Sequence, residues 1–248
     1  MNDVERMEVP QKPYKPIGRK NCGSIPHLQG SRIGPGDHHC HEGQQRICTA
    51  KIRDKYDRVI VTEKLDGSNV GVALTGGRLW ALQRTGYPAE SSPFEQHKLF
   101  AQWVWMNQSR FLSVLNEGER FVGEWLAQAH GTRYRLLHEP LVVFDLIYND
   151  RHLAWDVLVE RCSLAELTIP HVISDNGSRS IEDCMVAIGT SFHGALDPVE
   201  GAVWRVEREG KFDFMAKYLR SDKLDGCYLP EVSGKEAVWN WRPGNGVK

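Results

Sequence analysis

Residues 63–69 read EKLDGSN and stand where one predicted strand, RVIVTEK, ends and the next, NVGVAL, begins. RLWALQR follows the turn signal Thr75-Gly76-Gly77, so these segments predict short antiparallel strands joined by hairpins. A nucleophilic Lys64, held by the rigid end of a strand, is one interpretation of this stretch. Attack on a phosphate would require an enclosed pocket that favours the neutral amine, because an ordinary lysine has a pKa of about 10.4. The other interpretation is a surface Asp-Gly turn, which a KxDG sequence alone most often forms.

The remainder of the chain predicts strands and helices without a regular βαβ rhythm. Apolar side chains at three- and four-residue spacings favour one or two helices within residues 94–115. ERFVGEWL and PLVVFDLIY are typical of strands, DVLVERCSLAEL and SIEDCMVAIG of helices, and VEGAVWRVE with KFDFMAKY of a hairpin around Glu209-Gly210. We therefore expect an α+β fold of antiparallel β-sheets with flanking helices. Residues 1–57, largely rich in Pro, Gly and polar residues, are expected to form an irregular N-terminal arm packed on the domain.

Composition constrains the partners and the compartment. Lys and Arg number 31 against 32 Asp and Glu, a net charge of -1, so any basic surface for a nucleic acid must be local. The six cysteines contain no Cys-x-x-Cys pair, and we expect free thiols in a reducing compartment. The apolar runs are strand-sized and the N-terminal sequence lacks the apolar stretch of a signal peptide. We therefore expect a soluble, cytoplasmic protein with no membrane partner.

Six short motifs follow one another along the chain, and their order is more specific than any one of them. They are Lys64-Leu65-Asp66-Gly67, Gln83-Arg84-Thr85, Phe121-Val122-Gly123-Glu124, Val143-Phe144-Asp145, Glu200-Gly201-Ala202-Val203 and Met215-Ala216-Lys217. This order resembles the covalent nucleotidyltransferase superfamily, which contains the ATP-dependent DNA ligases, the RNA ligases and the mRNA capping enzymes. GEWL at residues 123–126 and IPHLQGSR at residues 25–32 are most similar to the ATP-dependent RNA ligase family, in the class of the second phage RNA ligase.

The resemblance implies a fold and an activity. The fold would be a nucleotidyltransferase (adenylation) core of the ATP-grasp-like ligase type at residues 58–220, followed by a short C-terminal extension at residues 221–248. The activity would be that of an ATP-dependent RNA ligase that uses Mg²⁺ or Mn²⁺, forms a lysyl-AMP intermediate on Lys64, and seals 5'-phosphate to 3'-hydroxyl ends. We expect nucleic-acid ends as the substrate, RNA in preference to DNA. A protein that prepares those ends would be a natural partner.

The resemblance also implies residues that bind the nucleotide, and each has an ordinary structural alternative. Glu63 would lie against the adenine edge, Glu124 would accept the ribose hydroxyls, and Phe144 would stack on the base. The alternatives are a solvated strand-end acid, a solvent-facing strand acid and a core aromatic side chain. Asn69 would engage the phosphate and the acceptor end, although asparagine is also common in turns.

The implied charged residues serve the phosphates and the metal. Asp66 would position the region of the nucleophile, unless it only forms an Asp-Gly turn. Arg84 would contact the AMP phosphate or the 3' end, and its alternative is a surface arginine at the end of a hairpin. Glu200 would bind Mg²⁺ directly or through water, and its alternative is a loop acid. Lys217 would neutralise charge on the transferred phosphate.

The last motif departs from the two-lysine form of the superfamily. If Lys217 is the second lysine, Met215 occupies the first position. If Lys217 is the first, the second position is Leu219, and Arg220 would have to compensate. One cationic role is therefore not assigned by the sequence.

Three alternatives remain open. A DNA ligase or a GTP-using capping enzyme usually carries a C-terminal domain of the OB type, and only about 28 residues follow Arg220. A catalytically silent nucleic-acid-binding relative would keep the fold without forming the adduct. The segment DHHCH at residues 37–41, with Cys48 downstream, invites a zinc site, but its spacing matches no usual zinc finger and favours a polar loop.

Overall fold

Two antiparallel β-sheets form the frame of the protein, and the computed structural model describes residues 14–175 and 177–244. Expectations for residues 1–13 and 245–248, at the ends of the predicted arm and extension, lie outside the described residues. In chain order the elements are α1 (Glu42–Thr49), β1 (Asp57–Lys64), β2 (Ser68–Thr75), β3 (Arg78–Gln83), a 3-10 turn (Ala89–Ser91), α2 (Glu95–Met106), α3 (Gln108–Leu112), β4 (Glu119–Trp125), β5 (Leu141–Tyr148), β6 (Arg151–His152), α4 (Trp155–Leu164), β7 (Val172–Ser174), α5 (Ile181–Ile188), β8 (Gly201–Arg208), β9 (Lys211–Leu219) and α6 (Pro230–Ser233).

The two sheets divide the motifs between them. The four-stranded sheet has the order β7-β1-β8-β9, and the five-stranded sheet has the order β3-β2-β4-β5-β6. β1 enters the first sheet and β2 the second, so the loop between them, residues 65–67, crosses from one sheet to the other. Lys64, at the end of β1, therefore stands where the two sheets meet.

Each sheet is packed against helices on the face that points away from the other sheet. Behind the five-stranded sheet, α2, α3 and α4 bury side chains that include Phe100, Trp103, Phe111 and Trp155. Behind the four-stranded sheet, α1 and α5 contribute a second core around Trp204. The alternation of side chains along a strand explains the division, because one face of each strand packs on its helices and the other is left for the space between the sheets.

The predicted fold class is confirmed, with two antiparallel sheets and flanking helices. The strands and hairpins expected from RVIVTEK to RLWALQR are β1 to β3, and the predicted hairpin around Glu209-Gly210 joins β8 to β9. The described part of the arm packs along β9, since the backbone N–H groups of Leu28 and Arg32 donate to the carbonyls of Lys217 and Leu219 at 2.8 and 3.0 Å.

The expectation of an arm without regular structure was wrong at residues 42–49, which form α1. Only Ile47 and Cys48 of this helix are buried. The sequence therefore carries almost no apolar period there, and contacts with the second core supply the stability that its pattern does not reveal.

All six cysteines are free, and four of them are buried. No helix within residues 14–175 and 177–244 has the length and apolar character needed to cross a membrane.

A buried arginine joins the two sheets. Arg205 of β8 donates from Nη1 to Oδ1 of Asp145 in β5 at 3.1 Å and from Nε to Oε1 of Glu207 at 2.9 Å. Its guanidinium also lies over the ring of Phe212, 4.9 Å from the centroid. The other oxygen of this carboxylate is also in contact, since His152 Nδ1 lies 2.5 Å from Oδ2 of Asp145. Because Arg205, Asp145 and Glu207 are all buried, each of these three groups depends on the others for charge compensation.

Arg205→Met should lower the free energy of unfolding by about 3–5 kcal/mol, since it leaves two buried carboxylates without their main partner. Urea denaturation followed by tryptophan fluorescence measures the change. Arg151→Met, at an exposed position in β6, is the matched control and should change stability by less than about 1 kcal/mol. Equal losses in the two variants would show that Arg205 contributes no more than a surface arginine.

Candidate active site

A cavity of about 910 Å³ lies between the two sheets, within the size range of small-molecule sites. Its walls bring together every site residue expected from the sequence, although these residues are spread over more than 150 positions of the chain. They are Glu63, Lys64, Asp66, Asn69, Arg84, Glu124, Phe144, Glu200 and Lys217. The roles of these residues remain predictions, while their proximity is an observation.

The loop after β1 holds Lys64 in a defined position. Lys64 Nζ donates to Oε2 of Glu200 at 2.7 Å and to the carbonyl of Leu65 at 3.2 Å. Gly67 is required in this loop, because a Cβ there would lie 2.5 Å from the carbonyl oxygen of Trp125. Its N–H donates to Oε1 of Glu124 at 3.0 Å, so the loop is tied to the wall formed by β4.

Three carboxylates surround Lys64, and they decide its charge. Burial alone would lower the pKa of Lys64, but the charges of Glu200, Glu124 and Asp66 outweigh it and raise the pKa above its ordinary value. Attack on a phosphate requires an environment that favours the neutral amine, whereas these carboxylates favour the charged amine. The reason is tertiary, since two of the three carboxylates come from β4 and from the segment before β8.

Asp66 is a buried residue and does not form a surface turn. Its Oδ2 accepts a hydrogen bond from the N–H of Gly131 at 2.9 Å, and its own N–H donates to the hydroxyl of Tyr134 at 3.1 Å. Lys223 Nζ lies 3.3 Å from its Oδ1. Burial raises the pKa of Asp66, with Glu200 adding to the effect and Lys223 opposing it. The residue thus anchors the loop after β1 to two more distant segments.

The wall of the five-stranded sheet presents polar and aromatic groups. Asn69 and Glu124 are direct neighbours across β2 and β4. Within the described residues, Oδ1 of Asn69 is buried without a hydrogen-bond partner, which leaves an acceptor available in the cavity. Phe144 is half-buried and lines the cavity, whereas Val143 beside it belongs to the core behind the sheet. Arg84 is exposed at the rim and donates to the hydroxyl of Ser24 in the arm at 3.1 Å.

Glu63 reaches the cavity wall, but its carboxylate is occupied elsewhere. It accepts hydrogen bonds from the hydroxyl of Ser191 and, at 3.1 Å, from the N–H of Phe192. Successive side chains of a strand point to opposite faces, so Glu63 leaves β1 on the face opposite to Lys64. The contact between Glu63 and an adenine edge, which the resemblance implied, stays a prediction.

Comparison with known proteins identifies the family to which the chain belongs. The model of the RNA ligase family matches residues 57–219, which is more than half of the chain. This chain belongs to the RNA ligase family. No curated protein matches its sequence significantly.

Solved structures of RNA ligases share the fold. A Naegleria gruberi RNA ligase with pyrophosphate is 18% identical, with a TM-score of 0.51 over 85% of this chain and 62% of its own. A point mutant of that ligase with AMP and manganese is 15% identical, with a TM-score of 0.51 over 88% and 64%. An archaeal ATP-dependent RNA ligase is 18% identical, with a TM-score of 0.49 over 80% and 48%. The chain thus spans about half to two thirds of these relatives, and the predicted adenylation-domain fold is confirmed.

The last motif of this RNA ligase family member contains one cavity-facing lysine. Met215, Lys217 and Leu219 occupy alternate positions of β9 and all line the cavity. Within the described residues Lys217 has no carboxylate within 4 Å of its ammonium group, and burial together with Lys64 lowers its pKa. Neither position at which the family has its other lysine carries a cation here, so the departure predicted from the sequence is real.

Sequence reasoning missed Lys223, which supplies a second cation beside Glu200. Its ammonium group contacts Oε1 of Glu200 and lies near Asp66. Burial would raise the pKa of Glu200, but the charges of Lys64 and Lys223 outweigh it and lower the pKa. No motif could have revealed Lys223, since it lies beyond residue 219, where the family match ends.

The residues of the His-rich segment, 37–41, do not line the cavity as the structure describes it. His39 pairs with His27 through the backbone, while Cys40 and Cys48 are buried in the core behind the four-stranded sheet. In the part of the chain that the structure describes, no group of three or more His, Cys, Asp or Glu residues could hold a metal ion. The prediction of a polar loop at residues 37–41 thus stays the simpler interpretation.

Glu124→Gln should make stability less dependent on pH. Burial, with Glu200 adding to it and Lys64 opposing it, raises the pKa of Glu124 to about 7. The folded state then binds a proton that the unfolded state releases between about pH 4.5 and 7, so wild type loses stability as pH rises through this window. Glutamine can still accept the Gly67 hydrogen bond but does not ionise.

The measurement is the thermal midpoint of both proteins at pH 5 and pH 8. The variant should gain several degrees relative to wild type at pH 8, with little or no gain at pH 5, since each kcal/mol corresponds to roughly 2–4 °C for a domain of this size. A constant difference between the two proteins at both pH values would contradict the raised pKa.

Proposed function

We propose that this protein is an ATP-dependent RNA ligase that forms lysyl-AMP on Lys64 and joins 5'-phosphate to 3'-hydroxyl ends. The observation that carries the proposal is Lys64 itself. It stands at the end of a strand, inside an ATP-sized cavity, at hydrogen-bond distance from Glu200, within a segment that matches the RNA ligase family. Membership of that family favours RNA over DNA as the substrate.

The cavity is suited to a nucleotide because its chemistry changes along its length. Phe144 and Val203 line it from different sheets, so a planar base can lie between the sheets against apolar side chains. The neighbouring pair Asn69 and Glu124 offers acceptors for ribose hydroxyls. The base and ribose would then lie on the wall of the five-stranded sheet.

The phosphates would lie among the cations. Lys64, Lys217 and the rim residue Arg84 all line the same cavity. Permanently charged or buried cations of this kind stabilise charge on a transferred phosphoryl group, which is the main source of rate in such sites. Because Arg84 is exposed, it can also contact the phosphate of an incoming strand.

Covalent catalysis at Lys64 requires a change of protonation. The carboxylates around Lys64 keep its amine charged, and a charged amine has no free electron pair for attack. Adenylation would form a bond between Nζ and the α-phosphorus, break the bond to pyrophosphate, and release the amine proton to a carboxylate of this cluster. AMP then passes to the 5'-phosphate, and the 3'-hydroxyl displaces it.

The residues present fit a divalent metal such as Mg²⁺ or Mn²⁺. Mg²⁺ is usually held by one or two carboxylates together with substrate phosphates and waters, and a closed protein cage is not needed. Glu200 offers carboxylate oxygens of this kind beside Lys64, at the predicted phosphate position. When bound, the metal would offset the negative charge of the triphosphate.

Two alternatives are less well supported. A silent nucleic-acid-binding relative has no need of a partly buried lysine that is ion-paired to the buried Glu200. A DNA ligase or a GTP-using capping enzyme would share the cavity, but the family match favours the RNA ligase. The free thiols are in keeping with a reducing compartment, and we propose the cytoplasm.

Lys64→Ala should abolish labelling of the protein by α-labelled ATP in the presence of Mg²⁺, because no other group replaces the nucleophile. Acid-stable label and intact mass measure the adduct, which adds the mass of one AMP. Lys211→Ala, at an exposed position in β9, is the control and should label as wild type does. Label on Lys64→Ala would show that the nucleophile is another residue, and preferential labelling by GTP would favour the capping alternative.

Sealing should be more sensitive to salt than adenylation and should prefer an RNA acceptor. Contacts between Arg84 and strand phosphates release counterions, and a 2'-hydroxyl distinguishes RNA from DNA. Pre-adenylated 5' ends with RNA or DNA acceptors across a salt series measure both effects. Arg84→Ala should weaken sealing more than adenylation. Equal or better sealing of all-DNA nicks would overturn the RNA assignment.

A further inference from the structure

The ammonium group of Lys223 is the centre of an ion-pair cluster behind the cavity wall. Its Nζ contacts Oε1 of Glu200, lies 3.3 Å from Oδ1 of Asp66, and lies 3.4 Å from Oδ1 of Asp225. The side chain is only 6% exposed. The cavity wall does not include Lys223, as far as the structure describes that wall. Lys223 therefore acts on the site through the residues it holds and not by touching a ligand.

The segment after β9 is folded so that this lysine enters the cluster. Arg220 N–H donates to the carbonyl of Glu200 at 3.1 Å, and Tyr228 N–H donates to the carbonyl of His130 at 2.8 Å. Gly131 makes room for it, since a Cβ there would lie 2.4 Å from the carbonyl oxygen of Leu224. Backbone hydrogen bonds on both sides of Lys223, together with the close approach at Gly131, therefore fix the position of this lysine.

Glu200 is divided between two lysines. One of its oxygens accepts from Lys64 and the other from Lys223. Removing Lys223 would leave the carboxylates of Glu200, Asp66 and Glu124 with Lys64 as the cation among them. Glu200 would then be free to turn, and Lys64 would be held more strongly by the excess negative charge.

We propose that Lys223 is a positioning residue for adenylation, which fixes Glu200 so that the amine of Lys64 is aligned with the α-phosphate. It supplies a second cation beside Glu200 from outside the six motifs. The inference rests on the proposed function and adds to it a residue that no motif assigns.

The test compares Lys223→Met with wild type in single-turnover adenylation and in sealing of pre-adenylated ends. Misplacement of a reacting group by about 1 Å costs roughly 100-fold in rate, so adenylation should slow by about that factor. The KM for ATP should change by less than about threefold, because Lys223 does not touch the nucleotide. Sealing of pre-adenylated ends should fall much less, because that step does not use the nucleophile.

Three further variants separate positioning from folding. Asp225→Ala removes the Lys223 and Arg32 contacts of an exposed carboxylate while leaving Lys223 on Glu200, and it should keep a rate close to wild type. Lys235→Met, exposed in the same segment, should also be neutral. Lys223→Arg keeps the charge and should recover at least about tenfold over Lys223→Met. Thermal melting reports whether each variant is folded. If Lys223→Met does not fold, Lys223→Arg should still adenylate more slowly than wild type, with an unchanged KM for ATP.

The outcomes distinguish this inference from the proposed function. A folded Lys223→Met that adenylates within threefold of wild type would overturn the inference and leave the function intact. The inference would also be overturned if Asp225→Ala slowed adenylation as much as Lys223→Met does. The same holds if Lys223→Met lost adenylation and sealing equally, because each result points to a purely structural role. Lys223→Arg that folds and adenylates as fast as wild type while Lys223→Met is unfolded would do the same. A folded wild-type protein that takes no label from ATP would overturn the proposed function and the inference with it.

Discussion

The buried carboxylate of Glu200, shared between Lys64 and Lys223, is the interaction on which the rest of the site depends. A carboxylate that is almost fully buried must be compensated by charge and hydrogen bonds, and here both of its oxygens are paired with ammonium groups. The three residues come from the end of β1, from the segment before β8 and from the segment after β9. Satisfying one buried charge therefore brings three distant parts of the chain together.

A second ion-pair network joins the sheets at Arg205, five residues after Glu200 and within β8. Arg205 reaches Asp145 across the gap between the sheets, as Glu124 does when it binds the loop that carries Gly67. Apolar side chains of each sheet are committed to the helices behind it, so the facing surfaces are left with polar groups and a few aromatics. A cavity of nucleotide size results because these facing surfaces are held together by ion pairs and hydrogen bonds at particular points and are not packed against each other along their length.

This arrangement holds Lys64, the proposed nucleophile, in a defined position and favours its protonated form. The carboxylates that position Lys64 also raise its pKa, whereas burial and Lys64 lower the pKa of Lys217. The carboxylates that hold Lys64 in place therefore also keep its amine unreactive. In a ligase, the amine would become reactive only when a bound triphosphate and a metal ion redistribute the charge around it. Lys223 bears on this balance because it takes part of the carboxylate charge that would otherwise act on Lys64 alone.

The sequence by itself determined the α+β class and the strands around EKLDGSN, because strand periodicity is a local property of the chain. The order of the six motifs indicated nine residues that line the cavity. The sequence could not reveal α1, whose few apolar residues are stabilised by a distant core, nor that the Glu63 carboxylate would bind the 191–192 loop. Tertiary structure alone decided the charge on Lys64 and the role open to Lys223. The physical reason is that electrostatic energies depend on burial and on distances of a few ångströms between groups far apart in sequence, and no local pattern encodes either.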